Sequence, residues 1–215
     1  MRMHQIIVLS IVCTSLLAQD RERTEHWHAR NSLFEQELDS APRQTVVFLG
    51  NSITEGFDLE SAFPGQNYIN RGIVGDHLDG LIQRLNNSAV GLDPTMIFLL
   101  IGINDIGDRR DDAYIMDMYT VLLDTLQQEL PETQIYLHSI LPTSARWKNC
   151  PPEQIKRINS WLIDETIQRG LVYINLHPIF LGNGEFINPG LSHDGLHPNA
   201  EGYEVWRRSI LRYLE

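Results

Sequence analysis

The stretch Thr95-Met96-Ile97-Phe98-Leu99-Leu100-Ile101-Gly102 is almost continuously apolar and predicts a strand at the centre of a parallel sheet. Helices cover such a strand on both faces, so both sets of its alternating side chains are apolar. Four further apolar, β-branched runs lie before and after it, at residues 45–50, 68–73, 134–141 and 171–176. The sequence therefore predicts five strands in one parallel sheet.

Segments with helical periodicity separate these strands. They cover residues 76–85, 114–130, 155–169 and 200–214. In the third segment we expect the core face to consist of Ile158, Leu162, Ile163 and Ile167. A further helix near residues 23–38 precedes a linker at 39–44 and offers four apolar side chains for packing on the sheet: Trp27, Leu33, Phe34 and Leu38. Regular alternation of strand and helix predicts a doubly wound α/β fold, whose sites open at the carboxyl ends of the strands.

Composition favours a single globular domain over residues 20–215. Of the 215 residues, 42% are hydrophobic and 21% are charged, which is enough apolar material for a sizeable core. The formal net charge of −11 repels phosphate backbones and anionic membrane surfaces, so we expect no nucleic-acid partner. Nothing in the composition indicates an oligomeric state.

The first 19 residues resemble a secretory signal peptide. A short positive start is followed by an apolar run at residues 6–18 that is too short for an ordinary transmembrane helix. We expect a secreted or periplasmic enzyme with no stable membrane insertion after the signal is removed. An uncleaved anchor or a buried N-terminal helix is the alternative. Only Cys150 would remain in the mature chain, in a loop where a bystander thiol is the simplest interpretation.

Residues suited to serine-hydrolase chemistry follow the predicted strands. Ser52 comes after the first strand, while Asp194 and His197 come after the fifth, about 140 residues later along the chain. A serine hydroxyl needs an imidazole to accept its proton, and the imidazole needs an acceptor that fixes its tautomer. Because the carboxyl ends of parallel strands share one sheet edge, we expect these side chains to converge.

The same edge would carry donors for a tetrahedral oxyanion. The candidates are the Ser52 N–H, the Gly75 N–H and the side-chain amide of Asn104. Glycine at 75 permits unusual dihedral angles and close approach of a ligand, and Asn104 offers N–H groups without a titrating charge. Gly72 is the alternative to Gly75 as backbone donor.

Each of these residues also has a simpler interpretation. Ser52 could cap a helix that begins near Thr54, and Asp194 with His197 could be half of a metal site. His193 is either a surface residue or a substrate contact. Other polar residues could line the cleft, although solvated loop positions are the default expectation for them: Arg71, His77 and Trp147. His138, within a predicted strand, is expected to be a core histidine.

Four ordered blocks make a family resemblance specific. They are Gly50-Asn51-Ser52-Ile53, the segment 70–76 (Asn-Arg-Gly-Ile-Val-Gly-Asp), Gly102-Ile103-Asn104-Asp105 and Asp194-Gly195-Leu196-His197-Pro198. The chain resembles the SGNH hydrolases of the GDSL esterase and lipase superfamily, including carbohydrate O-acetylesterases and platelet-activating-factor acetylhydrolases. One departure is Asn51, where the family's usual block carries Asp.

The resemblance implies a flavodoxin-like, three-layer α/β/α sandwich without metal or organic cofactor. It also implies nucleophile Ser52, base His197, orienting Asp194, and oxyanion donors from Ser52, Gly75 and Asn104. The expected substrate is a small-molecule or glycan ester with a short acyl group, such as an O-acetyl ester of a carbohydrate. Alternatives are a lysophospholipase or thioesterase with the same triad, a non-catalytic glycan-binding module, and a metal-dependent phosphoesterase.

Overall fold

Five parallel strands form one sheet in the computed structural model, which describes residues 22–214. The strands are β1 (Val46–Gly50), β2 (Ile69–Gly72), β3 (Met96–Leu100), β4 (Gln134–His138) and β5 (Val172–Ile174). Their order is β2-β1-β3-β4-β5, so the apolar strand β3 is central, as its sequence predicts. The proposed signal segment lies outside the described residues.

Helices pack on both faces of the sheet and complete the α/β sandwich that the alternating pattern predicts. They are α1 (Glu25–Glu37), α2 (Ser52–Glu55), α3 (Leu59–Ala62), α4 (Leu78–Gln83), α5 (Leu85–Ser88), α6 (Ile103–Gly107), α7 (Asp112–Glu129), α8 (Pro152–Arg169), α9 (His177–Phe180) and α10 (Ala200–Ile210). Helix α7 lies between α4 and α8, whereas α10 packs near the short helices that follow β1, with Trp206 stacked on Phe57. Among residues 22–214, none of the helices has both the length and the apolar character needed to cross a bilayer.

The prediction that Ile163 and Ile167 lie on the core face of α8 is wrong. Ile167 is 72% exposed and Ile163 is 37% exposed. Two polar residues occupy core positions instead, because each finds a hydrogen-bond acceptor there. The Asn159 amide bonds both the N–H and the carbonyl of Ile140, and the Thr166 hydroxyl donates to a carbonyl one turn earlier.

The prediction of the buried face is also partly wrong for the N-terminal helix, α1. Trp27 and Phe34 are buried as predicted, but Leu33 is 40% exposed. Positions 27 and 34 are seven residues apart and therefore lie on one helical face, whereas position 33 lies about 100° around the helix from position 34. Position on the helix, more than hydrophobicity, decides which of these side chains is buried, and the buried pair packs with Ile73 in a small cluster separate from the main core.

A buried arginine joins the carboxyl ends of β1 and β2. The Arg84 guanidinium donates to the Gly50 carbonyl at 2.8 Å, to the Arg71 carbonyl at 3.0 Å and to the Asp76 carboxylate at 2.8 Å. Asp76 also accepts the indole N–H of Trp27 at 2.9 Å. Burial raises the pKa of Asp76 and lowers the pKa of Arg84, and each charge opposes the effect of burial on the other.

We expect Arg84→Met to lower the free energy of unfolding by about 3–5 kcal/mol, because it leaves the Asp76 carboxylate buried without its cation. Arg157→Met is the matched control, since Arg157 pairs with Asp112 at an exposed position and should change stability far less. Urea unfolding followed by circular dichroism measures both variants. Equal losses in the two would contradict this role for the buried pair.

Candidate active site

Ser52 is the first residue of α2, directly after the carboxyl end of β1. The Asn51 side chain caps this helix, because its carbonyl oxygen accepts the Ile53 N–H at 3.0 Å. The interpretation of Ser52 as the cap of a helix beginning near Thr54 is therefore wrong. Since Asn51 provides the cap, the Ser52 hydroxyl is available for another partner.

That partner is His197. Ser52 Oγ lies 2.9 Å from His197 Nε2, across 145 residues of sequence. On the other side of the ring, His197 Nδ1 lies 2.8 Å from Asp194 Oδ2. The structure thus brings the three predicted residues into one chain of hydrogen bonds.

The Asp194 carboxylate fixes the tautomer of His197. Partial burial raises the pKa of Asp194, but hydrogen bonds from the His197 ring and from the backbone N–H groups of His197 and Leu196 outweigh it and hold the pKa at about 2. An ionised carboxylate can only accept hydrogen bonds. His197 Nδ1 must therefore carry the ring hydrogen, which leaves the Nε2 lone pair to accept from Ser52.

The loop after β2 presents Gly75 at the same edge. Gly75 is exposed with φ +75°, a left-handed conformation that glycine adopts without strain. Its N–H has no acceptor within residues 22–214. Gly72, the alternative donor, lies inside β2, and its N–H already bonds the Asn70 side chain at 2.9 Å. Of the two glycines, Gly75 is the one with a backbone donor available.

Asn104 is held beside this loop. Its side-chain nitrogen donates to the Asp76 carbonyl at 2.8 Å, which uses one of two amide hydrogens and leaves the other for a ligand. The next residue, Asp105, accepts the N–H of Leu78 at 3.2 and 3.4 Å from its two oxygens. Burial raises the pKa of Asp105 to about 8. These two bonds join the start of α6 to the loop and helix that follow β2.

Glu55 fixes the Gly75 loop from the other side, a role that the sequence alone did not reveal. Its carboxylate accepts the Val74 N–H at 2.5 Å and lies 3.0 Å from His26 Nε2. Because Glu55 is the last residue of α2, one side chain connects the helix that carries Ser52, the loop that carries Gly75 and helix α1.

A cleft of about 430 Å³ opens beside Gly75 and Asn104. Trp147 forms one wall, and its indole N–H donates to the Asp194 carbonyl at 3.1 Å. His77 also lines the cleft, and its Nε2 lies 3.2 Å from the Asp108 carboxylate. Cys150 also reaches this cleft, but burial raises the pKa of its thiol to about 11, so the thiol is protonated and weakly nucleophilic at neutral pH.

The expectation that Arg71 and His77 are solvated is wrong, because both are buried. The Arg71 guanidinium packs over the Phe34 ring and pairs with Glu37 at 2.7 Å, so it belongs to the contact with α1 and not to the cleft. His138 is a core histidine as expected. Its ring accepts the Trp206 indole N–H at 3.1 Å, and burial lowers its pKa to about 4.

Three potential metal ligands also meet in the site. Ligand atoms of His193, Asp194 and His197 lie within 4.8 Å of one another, and the two imidazole rings stack at 5.9 Å. Both ring nitrogens of His197 already take part in hydrogen bonds. A cation could therefore use His197 only by replacing Ser52 or Asp194 as its partner.

Comparison with known proteins identifies the family of this chain. The model of the GDSL-like Lipase/Acylhydrolase family matches residues 48–205, most of the chain. The chain belongs to this family. An acetylxylan esterase from Geobacillus stearothermophilus is 22% identical over 170 residues, which cover 73% of this chain and 76% of the relative. The protein is accordingly a carboxylic ester hydrolase of the GDSL-like family.

Solved structures share the fold of this GDSL-like hydrolase. A structure from Streptococcus pneumonia, described as that of a platelet activating factor, superposes with a TM-score of 0.83. The two chains are 24% identical, and the match covers 88% of this chain and 93% of the other. A GDSL-like lipase from Bacteroides thetaiotaomicron superposes with a TM-score of 0.77 at 23% identity, over 86% and 97% of the two chains. At these identities the likeness establishes the fold.

We expect Glu55→Ala to increase the hydrogen-exchange rate of the Val74 amide by about tenfold, as for loss of one ordinary hydrogen bond. Glu55→Gln is the matched control, because it keeps an acceptor oxygen and should largely keep the protection. Amide exchange followed by NMR measures both variants. Unchanged exchange in Glu55→Ala would show that Glu55 does not hold the Gly75 loop.

Proposed function

We propose that this hydrolase removes short acyl groups, chiefly acetyl, from O-acylated carbohydrates through an acyl-enzyme on Ser52. The observation that carries this proposal is the chain of hydrogen bonds from Ser52 Oγ to His197 Nε2 at 2.9 Å and from His197 Nδ1 to Asp194 at 2.8 Å. It supplies in one place the nucleophile, the base and the group that orients the base.

In the acylation step, Ser52 Oγ attacks the ester carbonyl carbon while His197 Nε2 accepts the hydroxyl proton. The carbonyl oxygen becomes an oxyanion, and His197 then returns the proton to the departing sugar oxygen as the ester bond breaks. Water repeats the sequence on the acyl-enzyme and releases the acid. Asp194 stays ionised throughout and stabilises the transient imidazolium.

We assign three donors to the oxyanion. They are the Ser52 N–H at the start of α2, the Gly75 N–H and the second amide hydrogen of Asn104. The first residue of a helix has no intrahelical acceptor for its N–H, which leaves the Ser52 donor available. One donor of this kind typically contributes about 100- to 1,000-fold in rate.

The residues that line the cleft favour a substrate with a short acyl group and a polar acyl acceptor. Most of its lining is polar or glycine, and the larger apolar contributions come from Ile103, Trp147 and Leu196. A long acyl chain would require a continuous apolar channel. In the described part of the chain, none of the large, exposed apolar side chains lines this cleft. The acetylxylan esterase relative supports a carbohydrate acceptor.

The apolar segment at residues 6–18 supports export, so the proposal includes a secreted or periplasmic location. In such a compartment the enzyme would meet glycans outside the cell. A reporter fusion to residues 1–19 tests this part independently, and retention of the reporter in the cytoplasm would contradict it.

We expect wild-type protein to hydrolyse p-nitrophenyl acetate faster than the butyrate and octanoate esters and to release acetate from O-acetylated xylo-oligosaccharides. Ser52→Ala should lower kcat more than about 1,000-fold, because no other group can form the acyl-enzyme. Ser61→Ala, at an exposed serine that bonds Asp58, is the matched control.

Full activity in Ser52→Ala would contradict the mechanism. Preference for octanoate, or for lysophospholipid or acyl-thioester substrates, would instead favour a lysophospholipase or thioesterase with the same triad.

A further inference from the structure

A second groove continues from the cleft beside Gly75 and Asn104. This groove has a volume of about 820 Å³ and shares Lys148 and Asn149 with the cleft. The cleft alone has the size of an ordinary small-ligand site. Cleft and groove together form a longer surface, which we call the basic groove, and it suits an extended ligand better than a single small molecule.

The charge of the basic groove is opposite to that of the whole chain. The chain has 17 Lys and Arg against 28 Asp and Glu. Five of the cations line the basic groove, and they are Arg109, Arg110, Arg146, Lys148 and Arg157. The carboxylates lining it are Asp108, Asp111 and Asp112. Since the rest of the molecule is strongly acidic, this local excess of positive charge marks a surface that attracts anions.

Two of these cations line the cleft that contains Gly75 and Asn104. Arg146 and Lys148 flank Trp147, and neither forms a salt bridge of 4.0 Å or less with a carboxylate among residues 22–214. By contrast, Arg157 at the far end is engaged with Asp112 at 2.5 and 3.2 Å.

Two hydrogen bonds join the loop that carries Arg146 and Lys148 to the segment of Asp194 and His197. The Ser144 N–H donates to the Gly195 carbonyl at 2.7 Å, and the Trp147 indole N–H donates to Asp194, the residue that orients His197. At the other side of the groove, the Arg109 guanidinium donates to the Asn149 side chain at 3.2 and 3.3 Å. The loop that carries Arg146 and Lys148 is therefore held next to the segment that carries Asp194 and His197.

We propose that the acyl acceptor is an anionic polysaccharide, one whose sugar residues carry carboxylates. This inference rests on the proposed esterase function and specifies its substrate class. Arg146 and Lys148 would pair with carboxylates on the sugars next to the ester, because guanidinium and ammonium groups bind carboxylates through charge-assisted hydrogen bonds. Arg109 extends the attraction along the polymer.

The test compares two O-acetylated substrates, oligogalacturonides, which are anionic, and xylo-oligosaccharides, which are neutral. We expect the wild-type kcat/KM for the anionic substrate to exceed that for the neutral one by about tenfold or more at low salt, the effect of one charge-assisted hydrogen bond. High salt should remove this preference. Unacetylated hexagalacturonate should compete with the anionic substrate better than xylohexaose does.

The double variant Arg146→Gln/Lys148→Gln should lose the preference. The matched control Arg43→Gln/Arg208→Gln removes the same charge from two exposed residues that do not line the basic groove, and it should keep the preference. Each variant's unfolding temperature shows whether it is folded. If the double variant does not fold, the salt dependence and the competition in wild-type protein decide the question.

Three results would overturn the inference: equal kcat/KM on the two substrates, equal losses in the two double variants, or competition by oligothymidylate that matches hexagalacturonate. Deacetylation of the neutral substrate in any of these cases would leave the proposed function intact. Hydrolysis of p-nitrophenyl acetate without acetate release from either glycan would overturn the carbohydrate assignment as well.

Discussion

The buried guanidinium of Arg84 is the constraint on which the active-site edge depends. It bonds backbone carbonyls at the carboxyl ends of β1 and β2 and the carboxylate of Asp76, so two strands and the loop between β2 and α4 share one charged group. The Gly50 carbonyl also accepts the Ile73 N–H at 3.2 Å, so Arg84 adds a charged donor to a backbone contact between the ends of the two strands. A buried charge held by several hydrogen bonds permits few alternative arrangements of these segments.

The catalytic geometry follows from that arrangement. Ser52 lies two residues after Gly50, whose carbonyl Arg84 bonds. Asp76, which Arg84 also bonds, accepts the side-chain N–H of Asn104 with its backbone carbonyl. Movement of the loop would therefore displace both Gly75 and Asn104 relative to the nucleophile. Glu55 adds a second connection between α2 and this loop. Donors for an oxyanion act well only when they are fixed before the reaction, so these supporting bonds matter as much as the donors themselves.

The sequence predicts the parts of this structure that depend on local pattern. The apolar run at residues 95–102 indicates the central strand, and the positions of Ser52, Asp194 and His197 after strands indicate that they meet at one sheet edge. Partnerships between distant polar residues leave no comparable periodic signal. In the sequence, Arg84 is indistinguishable from the other charged residues of helical segments. In α8, Thr166 is buried, whereas the apolar pattern predicts burial of Ile167. Which polar group is buried depends on acceptors contributed by other segments, which a pattern along one chain does not show.

The central claim is that Ser52 is the nucleophile activated by His197 and Asp194. Reaction of the folded protein with a fluorophosphonate, followed by mass spectrometry of its peptides, tests this most directly. A single adduct on Ser52, absent from Ser52→Ala and strongly slowed in His197→Ala, is the result that the account predicts. Folded protein that remains unlabelled, or an adduct on another residue that persists in Ser52→Ala, would contradict it.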